Sequence, residues 1–110
     1  MQFTDYQKKY LINKRKDNVV IFGAGTLGKL TLIALSEKGI KVDYLCDSDI
    51  RKQGKEVEKI KIISPEDLDK LDKNADIFIA AIYFSSILPV LKNKGFKYLY
   101  ITTELLEKLD

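Results

Sequence analysis

The sequence has no histidine, no tryptophan, one cysteine and two prolines in 110 residues. Without histidine the commonest general base and metal ligand is missing, and zinc chemistry is left without a donor set. The lone cysteine, Cys46, excludes an internal disulfide and suits a reducing, cytoplasmic setting. No apolar run approaches the roughly 20 residues that a bilayer span needs. Met1-Gln2-Phe3-Thr4-Asp5 lacks the basic stretch followed by an apolar one that marks a secretory signal. A large surplus of one charge is also missing: 19 Lys and Arg face 16 Asp and Glu, a net charge of +3. The one basic cluster, Lys8, Lys9, Lys14, Arg15 and Lys16, reads as a solvated helix face. No zinc spacing or RNA-binding aromatic signature stands beside it, so no nucleic-acid partner is expected.

What remains is ordinary globular composition, 45% apolar and 32% charged, of a size that makes one domain. Its centre is Phe22-Gly23-Ala24-Gly25-Thr26-Leu27-Gly28. The apolar run Val19-Val20-Ile21-Phe22 before it reads as a buried strand, and Leu27 to Leu35 after it reads as a helix. Strand, G-x-G-x-x-G, helix is the context in which this spacing has a physical meaning. Gly23 permits a tight turn, Gly25 lets a phosphate approach the backbone, and Gly28 lets the helix pack close. Unpaired amides at the helix start, with the positive end of its dipole, favour an anion. Gly23, Ala24, Gly25, Thr26, Leu27 and Gly28 are therefore candidate binding residues. Glycines also gather in turns for steric reasons alone, and a turn kept for packing is the competing reading.

Residues 1–17 are expected to form an N-terminal helix. Thr4 and Gln7 have capping-box spacing, and Phe3, Tyr6 and Tyr10 make an aromatic stripe that suits packing on the domain or on a second copy. Residues 18–110 are expected to form the domain proper. The first crossover helix ends at Gly39, and Ile40 to Cys46 reads as the second strand. Ser48 to Lys59 reads as an irregular loop turning at Gly54, and Ile60 to Ile63 as the third strand. Ser64-Pro65-Glu66-Asp67 starts a short helix, with serine at N-cap, proline at N1 and acids in the first turn. Asp76 to Ile82 reads as a central fourth strand, and Ser85-Ser86 as the cap of a helix from Ile87 to Lys94 with Pro89 in its first turn. Phe96 to Ile101 reads as the fifth strand, followed by a terminal helix through Leu105, Leu106 and Leu109. Alternating strands and helices imply an α/β fold: a Rossmann-like, open, parallel five-stranded sheet of order 3-2-1-4-5 with helices on both faces.

In that order the switch point lies between strands one and four, beyond their carboxyl ends. Asp47 lies 19 residues past Gly28, close to the spacing at which a carboxylate meets ribose hydroxyls. Its competing role is a turn residue in Asp47-Ser48-Asp49. Arg51, Lys52 and Lys55 follow and could reverse a preference against a 2′-phosphate. Ser48, Tyr83 and Ser85 complete the candidate set: Tyr83 could stack on a base or sugar, or simply close the crevice, and Ser85 could reach a phosphate.

The runs from Val19 to Gly28 and from Val42 to Asp49, with Lys52-Gln53-Gly54-Lys55 and Ile62 to Leu68, resemble a small bacterial Rossmann-like module. Such modules accompany surface-polysaccharide enzymes: sugar O-acyltransferases, nucleotide-sugar dehydratases, FkbM-type methyltransferases and some glycosyltransferases. The resemblance implies a nucleotide-sugar ligand, such as a UDP-sugar, held by Gly23, Ala24, Gly25 and Thr26 with Asp47. It also implies a catalytic transferase domain or subunit as partner, with the chain acting alone as a binding subunit or as a piece of a larger protein. An NAD(P)-binding oxidoreductase domain is the second reading, weakened by the lack of any acid–base pair for hydride transfer. A non-binding domain that makes a homo-oligomer is the third. No catalytic residue can be named from the spacing.

Overall fold

The computed structural model describes residues 18–102. The expected helix of residues 1–17 and the terminal helix beyond Thr102 lie outside them.

The core is a run of short apolar strands buried on both faces. β1 (Val19–Phe22) and β5 (Asp76–Ile79) are buried at every residue and pair in parallel, Val20 opposite Ile77 and Phe22 opposite Ile79. β2 (Tyr44–Cys46) flanks β1 on one side, and β4 (Ile60–Ile63) follows it, both parallel. β6 (Tyr98–Ile101) closes the other edge in parallel with β5. The five expected strands thus stand in the expected 3-2-1-4-5 arrangement. A sixth, β3 (Glu56–Val57), corrects the strand count: it pairs antiparallel with β4 and gives the order β3-β4-β2-β1-β5-β6. It lies inside the segment expected to be an irregular loop.

Alternate residues of the strands feed two cores. Val19, Ile21, Leu45, Ile62 and Phe78 pack on Leu32 and Leu35 of α1 (Thr26–Glu37). Val20, Phe22, Cys46, Ile77 and Ile79 pack on Leu68 of a 3-10 helix (Pro65–Lys70) and on Ile87 and Leu91 of α2 (Phe84–Asn93). Helices therefore cover both faces, as the alternation of elements requires.

α1 ends as its sequence dictates. Gly39 takes a φ of +76°, its amide donates to the Ser36 carbonyl, and the Ile40 amide donates to that of Leu35. That pair of bonds is a Schellman motif. β2 is shorter than expected because the chain from Ile40 to Val42 buries its apolar side chains without joining the ladder. Pairing begins at Asp43, whose amide donates to the Val19 carbonyl and whose carboxylate accepts the Val19 amide at 2.8 Å.

α2 begins earlier than expected. Ser85 and Ser86 do not cap it; they lie in its first turn, and the Ser86 hydroxyl donates back to the Tyr83 carbonyl at 2.9 Å. Pro89 consequently sits inside the helix. It has no amide hydrogen to give the Ser85 carbonyl.

Candidate functional site

The β1–α1 turn is built by two glycines that the backbone demands and one that it does not. Gly23 has a φ of +123°, and a Cβ there would lie 2.4 Å from the Ala80 carbonyl oxygen. A Cβ on Gly28 would lie 1.9 Å from the Gly23 carbonyl oxygen. Strand, turn and helix are thus pressed backbone to backbone, which only glycine permits. Gly25 differs. Its φ of −90° and ψ of −156° suit any residue, and a Cβ there would meet nothing nearer than the Lys52 Nζ at 3.8 Å. It stands as N-cap of α1 with no side-chain cap. Among the described residues no acceptor meets the amides of Gly25, Thr26 or Leu27. Three donors at the positive end of a 12-residue helix therefore face solvent.

Ala24 behaves otherwise. It is buried, and its amide donates to Asp47 Oδ2 at 2.9 Å, so it supplies no donor to the opening. Gly28 is likewise buried within α1. Both shape the turn from behind.

Asp47 takes the turn role that was its competing reading. Oδ1 accepts the Asp49 amide at 2.8 Å, closing the Asx turn, while Oδ2 accepts Ala24 and lies 3.8 Å from the Lys52 ammonium. Each oxygen still has acceptor capacity for a ligand hydroxyl. The loop that follows separates the three cations expected near it. Arg51 is bound to Asp49 through Nε and Nη2 at 3.1 and 3.0 Å, and that guanidinium holds the Asp49 carboxyl below its usual range. Lys52 turns inward over Gly25, and Lys55 does not line the opening. Of the three cations that the sequence placed near Asp47, Lys52 is the one that lines the opening.

These groups enclose a cavity of about 370 Å³ between the turn, the β2 end and the β5 end. Seven of the ten sequence-derived candidates line it: Gly23, Gly25, Thr26, Leu27, Asp47, Ser48 and Tyr83. Ser85, exposed on α2, does not. Tyr83, 63% exposed, and Ile82, 86% exposed, form the far wall. Ser48 and Tyr83 also border a second cavity of about 220 Å³, lined by Phe22, Ile87, Val90 and Leu91 with Lys94 at its rim. A polar compartment thus adjoins an apolar one across a tyrosine.

A larger cavity, about 730 Å³, lies elsewhere, between α1 and the β3–β4 hairpin. Among the described residues Glu37, Glu56 and Glu58 line it against the one cation Lys29, and none of the ten candidates does. That charge is wrong for a phosphate, so volume alone does not locate the site.

Cys46, at the end of β2 behind the cradle, is not primed for covalent chemistry. Burial pushes the Cys46 thiol well above its ordinary range, and the adjacent Asp47 charge pushes it further, which leaves an inert side chain. Among the described residues no cluster of three or more His, Cys, Asp or Glu could hold a metal, and no helix is long and apolar enough to cross a membrane.

With this geometry in place, comparison with known proteins assigns a family. The model for the N-terminal region of C2185-like proteins matches residues 15–97. The chain belongs to the C2185-like N-terminal family. Among solved structures it is similar to RSP, a Rex-family repressor, at 19% identity and a TM-score of 0.63, over 86% of this chain and 49% of that one. It is equally similar to RSP in complex with beta-NADH, at 18% identity and a TM-score of 0.63, over 89% of this chain and 50% of that one. The chain thus spans about half the length of these structures, and at such identity the likeness establishes the Rossmann-like fold. No curated protein matches the sequence.

Proposed function

We propose that this chain is a nucleotide-binding module, with phosphate on the amides of Gly25, Thr26 and Leu27 and ribose on Asp47. The observation that carries the reading is Gly25. Packing accounts for Gly23 and Gly28 but not for a glycine at an open, unstrained position. What the missing Cβ preserves is room for a ligand against three unmet donors. The pair of adjoining cavities supports the same reading, because a nucleotide is itself a polar phosphate–ribose joined to a flat, largely apolar base. Tyr83 borders both cavities, and in this reading it stacks on the base or the sugar.

For the physiological ligand we favour a nucleotide-sugar, and for the setting the cytoplasmic assembly of bacterial surface glycans beside a transferase domain or subunit. This finer step rests on the resemblance of Val19–Gly28 and Val42–Asp49 to modules of that kind. One observation favours a second ligand: a solved neighbour is a complex with beta-NADH, so NAD(H) is the alternative occupant. In both cases the module binds and orients its ligand, and a partner carries the reaction.

Isothermal titration of the full chain with a UDP-sugar, ADP, AMP and NADH tests the proposal. We expect saturable heat with at least one of them, weakened tenfold or more by Gly25→Val. Absence of heat with all four at millimolar concentration would refute it. The ranking of UDP-sugar against NADH decides between the two ligands.

A further inference from the structure

We infer that Lys52 makes this site selective for nucleotides bearing a diphosphate over those bearing a single phosphate. The inference rests on the nucleotide reading above and names the ligand class within it. Lys52 Nζ lies 3.8 Å from the position of a Gly25 Cβ and 3.8 Å from Asp47 Oδ2. It therefore stands between the amide cradle and the carboxylate assigned to ribose, where the phosphate nearer the ribose and its neighbour would meet.

Fold stability does not explain this placement. Asp47 already accepts backbone amides at 2.9 and 2.8 Å, so it needs no counter-ion to satisfy either oxygen. An ion pair at 3.8 Å from a lysine side chain 42% exposed contributes little to stability. Yet the loop that delivers Lys52 is tightly built. The Lys52 amide donates to the Asp49 carbonyl at 3.0 Å, the Gln53 side chain donates to the Asp47 carbonyl at 3.0 Å, and the Gly54 amide donates to Ile62 at 2.8 Å. An ordered backbone thus aims a flexible ammonium at the opening.

Charge balance says what the ammonium is for. Arg51 is engaged by Asp49, which leaves Lys52 as the counter-charge of Asp47 beside the cradle. Three amides are enough donors for the oxygens of one phosphate, but a second phosphate brought close to Asp47 would be repelled. Among the described residues Lys52 is the one cation lining this cavity. Its compact ammonium, with three donors, offsets Asp47 and holds the second phosphate as a point charge.

The experiment compares UDP with UMP, and ADP with AMP, by titration calorimetry on the wild type, Lys52→Met and Lys52→Arg chains. The wild type is expected to prefer diphosphates tenfold or more. Lys52→Met should lose most of that preference by weakening the diphosphates more than the monophosphates, with the melting temperature unchanged, and Lys52→Arg should keep most of it. Raising the salt should narrow the wild-type preference, since the contact is partly exposed. If Lys52→Met binds nucleotides with the wild-type ratio, the inference fails and the nucleotide reading stands. If the wild type binds no nucleotide, both fail. A preference of the wild type for NADPH over NADH that Lys52→Met abolishes would place the ammonium at the ribose 2′ position and overturn the inference.

Discussion

Two helices start beyond the carboxyl ends of parallel strands on either side of β2, and their first turns are finished in opposite ways. After β4, the 3-10 helix closes on itself: Ser64 Oγ accepts the Asp67 amide and Asp67 Oδ2 accepts the Ser64 amide, both at 3.2 Å, with Pro65 contributing no donor. After β1, α1 begins at Gly25 with no side-chain cap, and three amides are left for something else. The contrast teaches that an open helix start is a choice made residue by residue. This chain carries a complete capping box at the start of the 3-10 helix. It withholds one at the turn bordered by Asp47, Lys52 and Tyr83.

Substitutions can break that contrast, and their effects on stability descend in a definite order. Gly28→Ala should be the most severe, because its Cβ would overlap the Gly23 carbonyl and force strand and helix apart. A loss of about 3 kcal/mol or more is expected from such overpacking, read as a shifted midpoint in urea unfolding. Ser64→Ala should cost about 1 kcal/mol through the lost cap, in the same assay, with nucleotide affinity unchanged. Gly25→Ala should cost less than about 1 kcal/mol, since an N-cap glycine gives up only its modest preference over alanine. It should nonetheless weaken nucleotide binding, which separates it from Ser64→Ala. If Gly25→Ala unfolds the protein as Gly28→Ala does, the distinction between the glycines is wrong.

The smallest effect is a pH dependence of the closed helix start. The Ser64 amide, then its hydroxyl, and then Lys70 hold the Asp67 carboxyl below its usual 3.8. A carboxyl depressed in the folded state stabilises fully above its unfolded value and ceases to as pH falls through the folded one. The melting temperature of the wild type should therefore fall more steeply than that of Asp67→Asn as pH drops below about 4. Parallel curves would remove the carboxylate from the account of this turn.

Several features were legible because their causes are local. The Gly39 stop, the Ser64 box and the strand–glycine–helix run each depend on residues within a few positions of one another. The β3–β4 hairpin was not legible for an equally definite reason. Its two central residues, Glu58 and Lys59, take φ values of +51° and +67°, where Asn-Gly or Asp-Gly is the usual signal. Pairing of Glu56 and Val57 with Lys61 and Ile60 holds them there, against their own preference. The start of α2 was misplaced because a serine hydroxyl can donate as well as accept, and Ser86 donates.

By itself, then, the chain of residues determined a parallel sheet of alternating crossovers and a glycine-lined bend leading into its first helix. Both follow from backbone sterics and from the spacing of apolar side chains. Only the tertiary structure decided which glycine is free of packing, that Ala24 turns its amide to Asp47, and that Lys52 rather than Arg51 or Lys55 reaches the cradle. The meetings of Ala24 with Asp47, Gly25 with Lys52 and Gly23 with Ala80 each join segments more than 20 residues apart. Which way a charged side chain points across such a gap is set by the hydrogen bonds of the loop that carries it.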